Sequence, residues 1–464
     1  MKFMNERAIL SNSSSESNRA LRRDAMDILR AAVESVDPGE AVRRNLNVRG
    51  DVLSCRGVDY DLNPERRVYV IGGGKAGVAM AAAVWGLLGD RIDGGFINIP
   101  EGTDAPPKIG RIRLNRASHP VPDRGSITGV ESMLTLTEGV GEKDLVIVLI
   151  SGGGSALMTH PAEGVSLEDV KALTQLLLMS GASIDELNAV RKHVSAFKGG
   201  QLARRLHPSR VLGVVLSDVI GDPLETIASG PTSPDTTTYG GAVDVLKRYG
   251  LLGSAPHPIV DRLNRGASGE LDETPKPGDP IFDRVENVII GGNTTALRAA
   301  AGRAETLGYR STIVTSRLTG EAVKAGMYLS DFVREVLSSD DHPRSPEAAI
   351  FGGETVVAVI GSGVGGRNQE VALSAAQGLA GLEALIATLA TDGVDGPTEA
   401  AGAIVDGTTM RRALSLGLDA SLHLRENDSY GFFSNLGDAL ITGPTGTNVN
   451  DISVALMPNR PGRG

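Results

Sequence analysis

Lys75 stands directly behind three glycines, Gly72, Gly73 and Gly74, which follow the apolar run Val68–Ile71 and precede an Ala-rich stretch. That order reads as a buried parallel strand, a glycine turn and a helix. A helix start exposes unpaired N–H groups and the positive end of the dipole, so a lysine there is disfavoured by about 0.3–1 kcal/mol. No Asp or Glu in the first turn offsets it. An anion from outside the protein would do so, which marks Lys75, with Gly73 and Gly74, as a phosphate-contacting candidate. The bland alternative is a lysine that leans into water. Arg367 repeats the arrangement. Val356–Ile360 reads as another strand, Gly361, Gly363, Gly365 and Gly366 as its turn, and Arg367 opens the next helix, with Glu370 placed to neutralise it in part. Two cations behind two glycine loops point to a polyanionic substrate.

The remaining strand ends carry Gly, Ser, Thr, Asn and Asp, the residues that cradle and orient small polar ligands. The strongest strand, Leu145–Ile150, runs into Ser151, Gly152, Gly153, Gly154 and Ser155. Val211–Leu216 ends at Asp218, with Asp222 shortly after, and Asn287–Ile290 leads to Asn293. Ala348–Phe351 leads to Glu354, and Ile386–Ala390 to Asp392 and Asp395. Phosphoryl transfer needs donors around the phosphates, cations on the transferring group, Mg²⁺ and an oriented hydroxyl. Asp218, Asp222, Glu354, Asp392 and Asp395 are hard oxygen donors suited to Mg²⁺ or to a base role, although each alone serves equally as a turn cap. Capping boxes at Ser166 and Ser183 start two helices. In the second, Leu187, Val190 and Val194 form the apolar side. Asn188, Arg191, Lys192 and Ser195 share another face, which either is solvated or holds a ligand.

Several chemistries are excluded by spacing. Gly153-Gly154-Ser155 lacks the Gly-x-Ser-x-Gly of a nucleophile elbow. Lys75 is followed by Ala76, so the loop is no Walker A. The seven histidines are scattered. Gly72, Gly74 and Gly77 do match Gly-x-Gly-x-x-Gly, and Glu101 ends the next strand near the distance expected for a ribose contact, so a nicotinamide-dependent reductase stays open. So does a non-catalytic sugar-phosphate-binding module.

Composition narrows the class further. The 464 residues are 41% apolar and only 3% aromatic, with 59 glycines, which suits an α/β protein of two domains. A net charge of −10 without a basic block argues against nucleic acid or an anionic membrane as partner. One cysteine, Cys55, rules out an internal disulfide. No apolar run reaches membrane-spanning length, so a cytoplasmic protein is expected. The Ser-rich start, residues 1–18, reads as a disordered tail. A domain over 19–265, a Pro- and Gly-rich linker over 266–282 and a second domain over 283–458 follow.

The motifs IGGGKAGVAMA, SHPVPD, LISGGGSALM, LNAVRKHVSAFKGGQLA, LSDVIGDPLETIASGPTSPD, GGETVV, GSGVGGRNQE, ATDGVDGPTEAAGAIVD and TGPTGTNVNDI stand in that order between Arg19 and Leu456. Together they resemble the class II glycerate kinases, the glycerate 2-kinases with a C-terminal MOFRL domain, also known as hydroxypyruvate reductases of tartrate utilisation. The resemblance implies a Rossmann-like, doubly wound N-terminal domain and a smaller α/β C-terminal domain, with the active site in the cleft between them. It implies transfer of phosphate from ATP with Mg²⁺ to D-glycerate, giving 2-phosphoglycerate, and a homodimer is compatible with it. The lysine of its GGGKA motif falls on Lys75 and the arginine of its GRNQE motif on Arg367, the pair taken there as catalytic. On that basis Asp218 is expected to orient the hydroxyl, and Asp218 or Asp392 to hold the metal. Gly73, Gly74, Ser151, Gly153, Gly154, Ser155, Asn188, Arg191, Lys192, Asn293, Glu354, Gly365 and Gly366 are expected around glycerate and nucleotide.

Overall fold

The strand Leu145–Ile150 is buried at every position. An unbroken run of β-branched and leucine side chains suits a strand covered on both faces, where a polar residue would lose its water without gaining a partner. In the computed structural model, which describes residues 1–339 and 345–459, this strand lies inside a seven-stranded sheet. We number the six long strands of that sheet β1 (Val68–Gly73), β2 (Gly94–Pro100), β3 (Ile112–Ala117), β4 (Leu145–Ile150), β5 (Arg210–Leu216) and β6 (Val285–Gly291). A short edge strand, Lys108–Ile109, pairs with β3. The spatial order is β3-β2-β1-β4-β5-β6, which is the Rossmann order. β1 pairs in parallel with both β2 and β4, β3 with β2, and β5 with β4. The order reverses between β1 and β4, so the turns after these two strands flank the switch point, where such sheets bind ligands.

Two compact units make up the chain: Pro38–Ile290, which holds this sheet, and Met1–Asp37 together with Gly291–Gly464. In the first unit Ile71, Val146, Val148, Ile150, Phe197 and Leu202 belong to one buried cluster on the sheet. In the second unit a six-stranded sheet is mixed. Arg310–Leu318 runs parallel to Glu347–Gly353, and the pairings from there through Asp451–Met457, Leu385–Ala390 and Gly402–Asp406 to Ala439–Leu440 are antiparallel. Among the described residues no helix is long and apolar enough to cross a membrane.

Three expectations are corrected. The N-terminal residues are not a tail: Glu6–Ser11 and Glu16–Ser35 are helices. Ser15 caps the second by accepting from Asn18 N at 3.1 Å, so part of the serine tract is a helix start. The compact units also divide after Ile290, and residues 1–37 belong with the C-terminal unit. Val356–Ile360 is no strand. Val356, Val359 and Ile360 are exposed, and the backbone there bonds a turn instead. Ile360 N and Gly361 N donate to Asn427 Oδ1 at 2.8 and 2.9 Å, and Gly363 N donates to Glu426 O at 2.7 Å.

Arg22 explains why residues 1–37 belong where they do. Its guanidinium is fully buried and donates to Asp406 Oδ2 at 2.5 and 3.0 Å, to Asp438 Oδ1 at 2.7 Å and to Ile9 O at 3.2 Å. Burial alone would raise the Asp406 carboxyl, but Arg22 and the Thr408 donors hold it down at about 2. Removing the cation leaves two buried carboxylates short of their partner, so Arg22→Met is expected to destabilise the protein by about 3–5 kcal/mol. Equilibrium urea unfolding measures this directly.

Candidate active site

The turns after β1 and β4 touch through glycine. Gly72 and Gly74 have φ of 137° and 148°, and a Cβ on them would lie 2.0 Å from Leu149 O and 2.1 Å from Ser151 Oγ. Only a residue without a side chain fits such an approach. The two loops are laced together: Lys75 N donates to Gly152 O at 2.8 Å and Ala76 N to Ser151 Oγ at 3.1 Å. The helix Gly77–Leu88 then begins with no side-chain cap and no acid in its first turn. The Lys75 side chain is exposed and has no hydrogen-bond or ion-pair partner among the described residues. Asp218, after β5, has its carboxylate against the second loop, where a Cβ on Gly152 would fall 2.3 Å from Asp218 Oδ2.

Beside these loops lies a cavity of about 830 Å³. Its wall includes five basic side chains, His119, His160, Lys171, Arg191 and Lys198, and none of its lining residues is Asp or Glu. Gly153 is part of that wall. A Cβ there would sit 3.0 Å from His119 Cδ2 and 3.4 Å from Lys75 Cγ, which places Lys75 and His119 against the same loop. Burial first, and then the Lys75 charge, lowers the His119 pKa. Burial holds Arg191 down to about 10, and Arg191 has no hydrogen-bond or ion-pair partner among the described residues. A guanidinium carries five N–H donors and no acceptor, so this one has unused capacity for an anion.

Lys198 was not singled out by sequence reasoning. It is buried, and its Nζ donates to Ser155 O at 2.6 Å and Met158 O at 3.2 Å. The loop that carries it uses Gly199 and Gly200 at φ of 57° and 77°, and their N–H groups bond Ser229 O and Gly230 O at 2.9 and 2.8 Å. That opposing segment is itself strained, with Ala228 and Ser229 at φ of 51° and 60°. Non-glycine residues in this region store about 1–3 kcal/mol each and gather at working sites. The strain aims the Ser229 hydroxyl, which donates to Asn188 Oδ1 at 3.0 Å and lies 3.1 Å from Ser155 Oγ.

Of the expected polar face, only Arg191 on the helix Ile184–His193 and Ser195 just beyond its end line the cavity. Lys192 turns away from it. Its Nζ bonds Asp235 Oδ1 at 3.1 Å in a buried network that includes Thr237 and Thr274. Asn188 is buried against Ser229.

In the second unit Arg367 opens the helix Arg367–Leu379 as expected, but it is held. Nε and Nη2 donate to Asp451 at 2.7 and 3.1 Å, and Nη1 pairs with Glu354 at 2.7 Å. Burial opposes the charge, yet Asp451, then Glu354 and Asp395, outweigh it and raise the guanidinium's pKa. One N–H on each terminal nitrogen stays unused. Asp395 occupies the helix N-terminus, accepting from Asn368 N and Gln369 N at 3.0 and 2.9 Å. Gly366 makes room for it, because a Cβ there would fall 2.3 Å from Asp395 Cγ. Gly365 abuts Ser429 in the same way. This helix start is therefore satisfied by the protein's own carboxylate. Glu370 accepts instead from Asn427 at 3.1 Å. Asn293 Nδ2 donates to Val449 O and Asp451 O at 2.9 and 3.1 Å. Asp392 caps its own turn through Val394 N at 3.1 Å. Among the described residues no three His, Cys, Asp or Glu side chains are grouped to hold a metal. A nucleotide-bound Mg²⁺ needs only one or two protein carboxylates, its other ligands being phosphates and water, so Asp218 or Asp392 fits that lesser demand.

A Rossmann-ordered sheet whose switch point carries glycine turns, a free lysine and a carboxylate-free basic cavity defines an α/β enzyme that acts on a small anionic substrate. Residues 24–264 match the family described as Domain of unknown function (DUF4147), and residues 347–451 match the MOFRL family. A glycerate 2-kinase of Pyrococcus horikoshii is 41% identical over 96% of this chain and 99% of its own length. A D-glycerate 2-kinase of Thermotoga maritima is 42% identical over 94% of this chain and 99% of its own. The crystal structure of a Thermotoga maritima glycerate kinase superimposes with a TM-score of 0.84, at 40% identity over 94% of this chain and 99% of that one. The chain belongs to the class II glycerate kinase family.

Burial pushes the Lys198 pKa down to about 7, with Arg191 adding to the effect. A free lysine titrates near 10.4, so between the two values the unfolded chain holds a proton that the folded one lacks. Stability therefore rises with pH across that window. The difference in unfolding free energy between pH 7 and pH 9.5 is expected to be larger in the wild type than in Lys198→Met. Parallel urea titrations of the two proteins read it.

Proposed function

We propose that this protein is a glycerate 2-kinase, transferring the terminal phosphate of ATP to D-glycerate to give 2-phosphoglycerate. The observation that carries the reading is the basic, carboxylate-free cavity at the switch point of the first sheet. A 2-hydroxy acid needs a cationic seat for its carboxylate and room for its hydroxyls, and Arg191 and Ser155 provide these on the cavity wall. Lys75, unpaired and uncapped at the adjoining turn, is the cation that meets the transferring phosphoryl group, where it stabilises charge as it develops. The glycine turns present backbone N–H groups to phosphate oxygens. Arg367, charged and with two N–H groups unused, is the second cation of the reaction. Asp218 orients the attacking hydroxyl.

Mg²⁺ is the expected metal, and Asp218 or Asp392 would supply its protein ligand. When bound it screens charge on the nucleotide phosphates. ATP is the phosphate donor. Relatives that carry glycerate kinase names over nearly the whole chain support both the donor and the acceptor.

Purified protein with D-glycerate, ATP and Mg²⁺ is expected to release ADP and form 2-phosphoglycerate, identified by its ³¹P spectrum. With hydroxypyruvate and NADH it is expected to consume no NADH, and the reverse pattern would make it the reductase that the Gly72, Gly74, Gly77 fingerprint allows. Lys75→Ala is expected to lower kcat by a factor on the order of 10²–10⁴, the scale of losing one electrostatic stabiliser of the transition state. Near-normal turnover in that variant would remove Lys75 from the mechanism.

A further inference from the structure

Lys198 is a buried amine with no carboxylate partner among the described residues. Its Nζ bonds backbone, Ser155 O at 2.6 Å and Met158 O at 3.2 Å. A tetrahedral nitrogen has four positions. One is the side-chain bond and two face these carbonyls, which leaves one more, and Lys198 lines the cavity. That position holds a third N–H when the amine is charged and a lone pair when it is neutral. Arg191, from the neighbouring helix, lines the same cavity and acts on Lys198 by charge repulsion. The other titratable groups on the wall, His119, His160 and Lys171, are also basic. Burial first, and then the Arg191 charge, hold the Lys198 pKa down to about 7, so this amine is largely neutral near pH 8.

We propose that Lys198 and Arg191 together form the subsite that takes the carboxylate of the acceptor acid, and that Lys198 gains its proton as that anion enters. The inference rests on the kinase reading for the identity of the acid and on the cavity's own chemistry for the rest. An anion placed between the two cations reverses the sign of the field on Lys198. The proton comes from solvent, and the pair then meets one carboxylate with donors from both sides. Lys198 would thereby make acid binding stronger as pH falls toward about 7 and constant below it, where the amine is already charged. It would also select for substrates that carry a full negative charge, because a neutral analogue brings nothing to draw the proton in.

The test is calorimetric and uses the full chain. D-glycerate is titrated into the protein at pH 8 with a nonhydrolysable ATP analogue present, once in HEPES and once in Tris, whose ionisation heats differ. The wild type is expected to show a buffer-dependent enthalpy that corresponds to uptake of about one proton. Lys198→Arg, always charged, is expected to bind with no buffer dependence. Lys198→Met is expected to raise KM for D-glycerate by about 10–100-fold, the scale of one lost charged hydrogen bond, and to leave KM for ATP within about 3-fold. A buffer-independent enthalpy in the wild type overturns the proposal without recourse to any variant. So does an unchanged KM for D-glycerate in Lys198→Met. If the wild type releases no ADP with D-glycerate, the kinase reading fails by itself. The same two-buffer titration with inorganic phosphate then decides the subsite: proton uptake upholds it and its absence overturns it.

Discussion

A methyl group on Gly74 would have to share space with Ser151 Oγ, 2.1 Å away, and one on Gly72 with Leu149 O, 2.0 Å away. This contact between the turns after β1 and β4 is the constraint from which the rest of the site follows. Because the strand ends close to such short range, Ser151 can reach Ala76 N and Gly152 O can reach Lys75 N. Lys75 is then fixed at the backbone while its side chain stays unpaired. The same closure places Gly153 between Lys75 and His119 and puts Asp218 against Gly152. A lysine, an imidazole and a carboxylate from separate parts of the chain are gathered by the absence of three or four Cβ atoms.

The two units solve the problem of buried charge in opposite ways. In the second, two cations are matched: Arg22 lies between Asp406 and Asp438, and Arg367 between Asp451 and Glu354. Such pairs specify geometry, and removing one member is costly because the other is stranded. In the first unit Lys192 is matched by Asp235 in the same fashion. Arg191 and Lys198 have no acidic partner among the described residues, and they line the cavity with three further basic groups and no acid.

Much of this was legible in the residues. Leu145–Ile150 falls on its predicted bounds, and both capping boxes, at Ser166 and Ser183, form as their spacing requires. Gly72 to Lys75 was readable because glycine, cation and missing acid are all local signals. What failed depended on knowing which side of an element meets solvent. Asn188, Arg191 and Lys192 share a helix face by spacing, yet one side chain lines the cavity and Lys192 joins Asp235, a residue 43 positions away. Lys198 lies inside LNAVRKHVSAFKGGQLA without a pattern to distinguish it, since burial of a lone lysine has no period. The adjacent pair Gly199 and Gly200, both left-handed, was the signal that could have drawn attention to it. Val356–Ile360 has strand composition, but its backbone is taken by Gly320 and Ala322 at Val356 and by the Asn427 side chain at Ala358 and Ile360. Ser15 looked like part of a disordered run because a cap and a linker use the same amino acid.

The placement of residues 1–37 with 291–464 has a consequence for biosynthesis. A ribosome delivers the helix Glu16–Ser35 first and the carboxylates that neutralise its Arg22 only after some 380 more residues, since Asp406 lies 384 positions further on. In the interval the whole sheet-bearing unit, continuous in sequence, can complete itself. The leading helix meanwhile waits with an apolar side uncovered, a natural client for whatever shields nascent chains. The segment that carries Arg22 is thus made before the sheet-bearing unit, and its carboxylates after it.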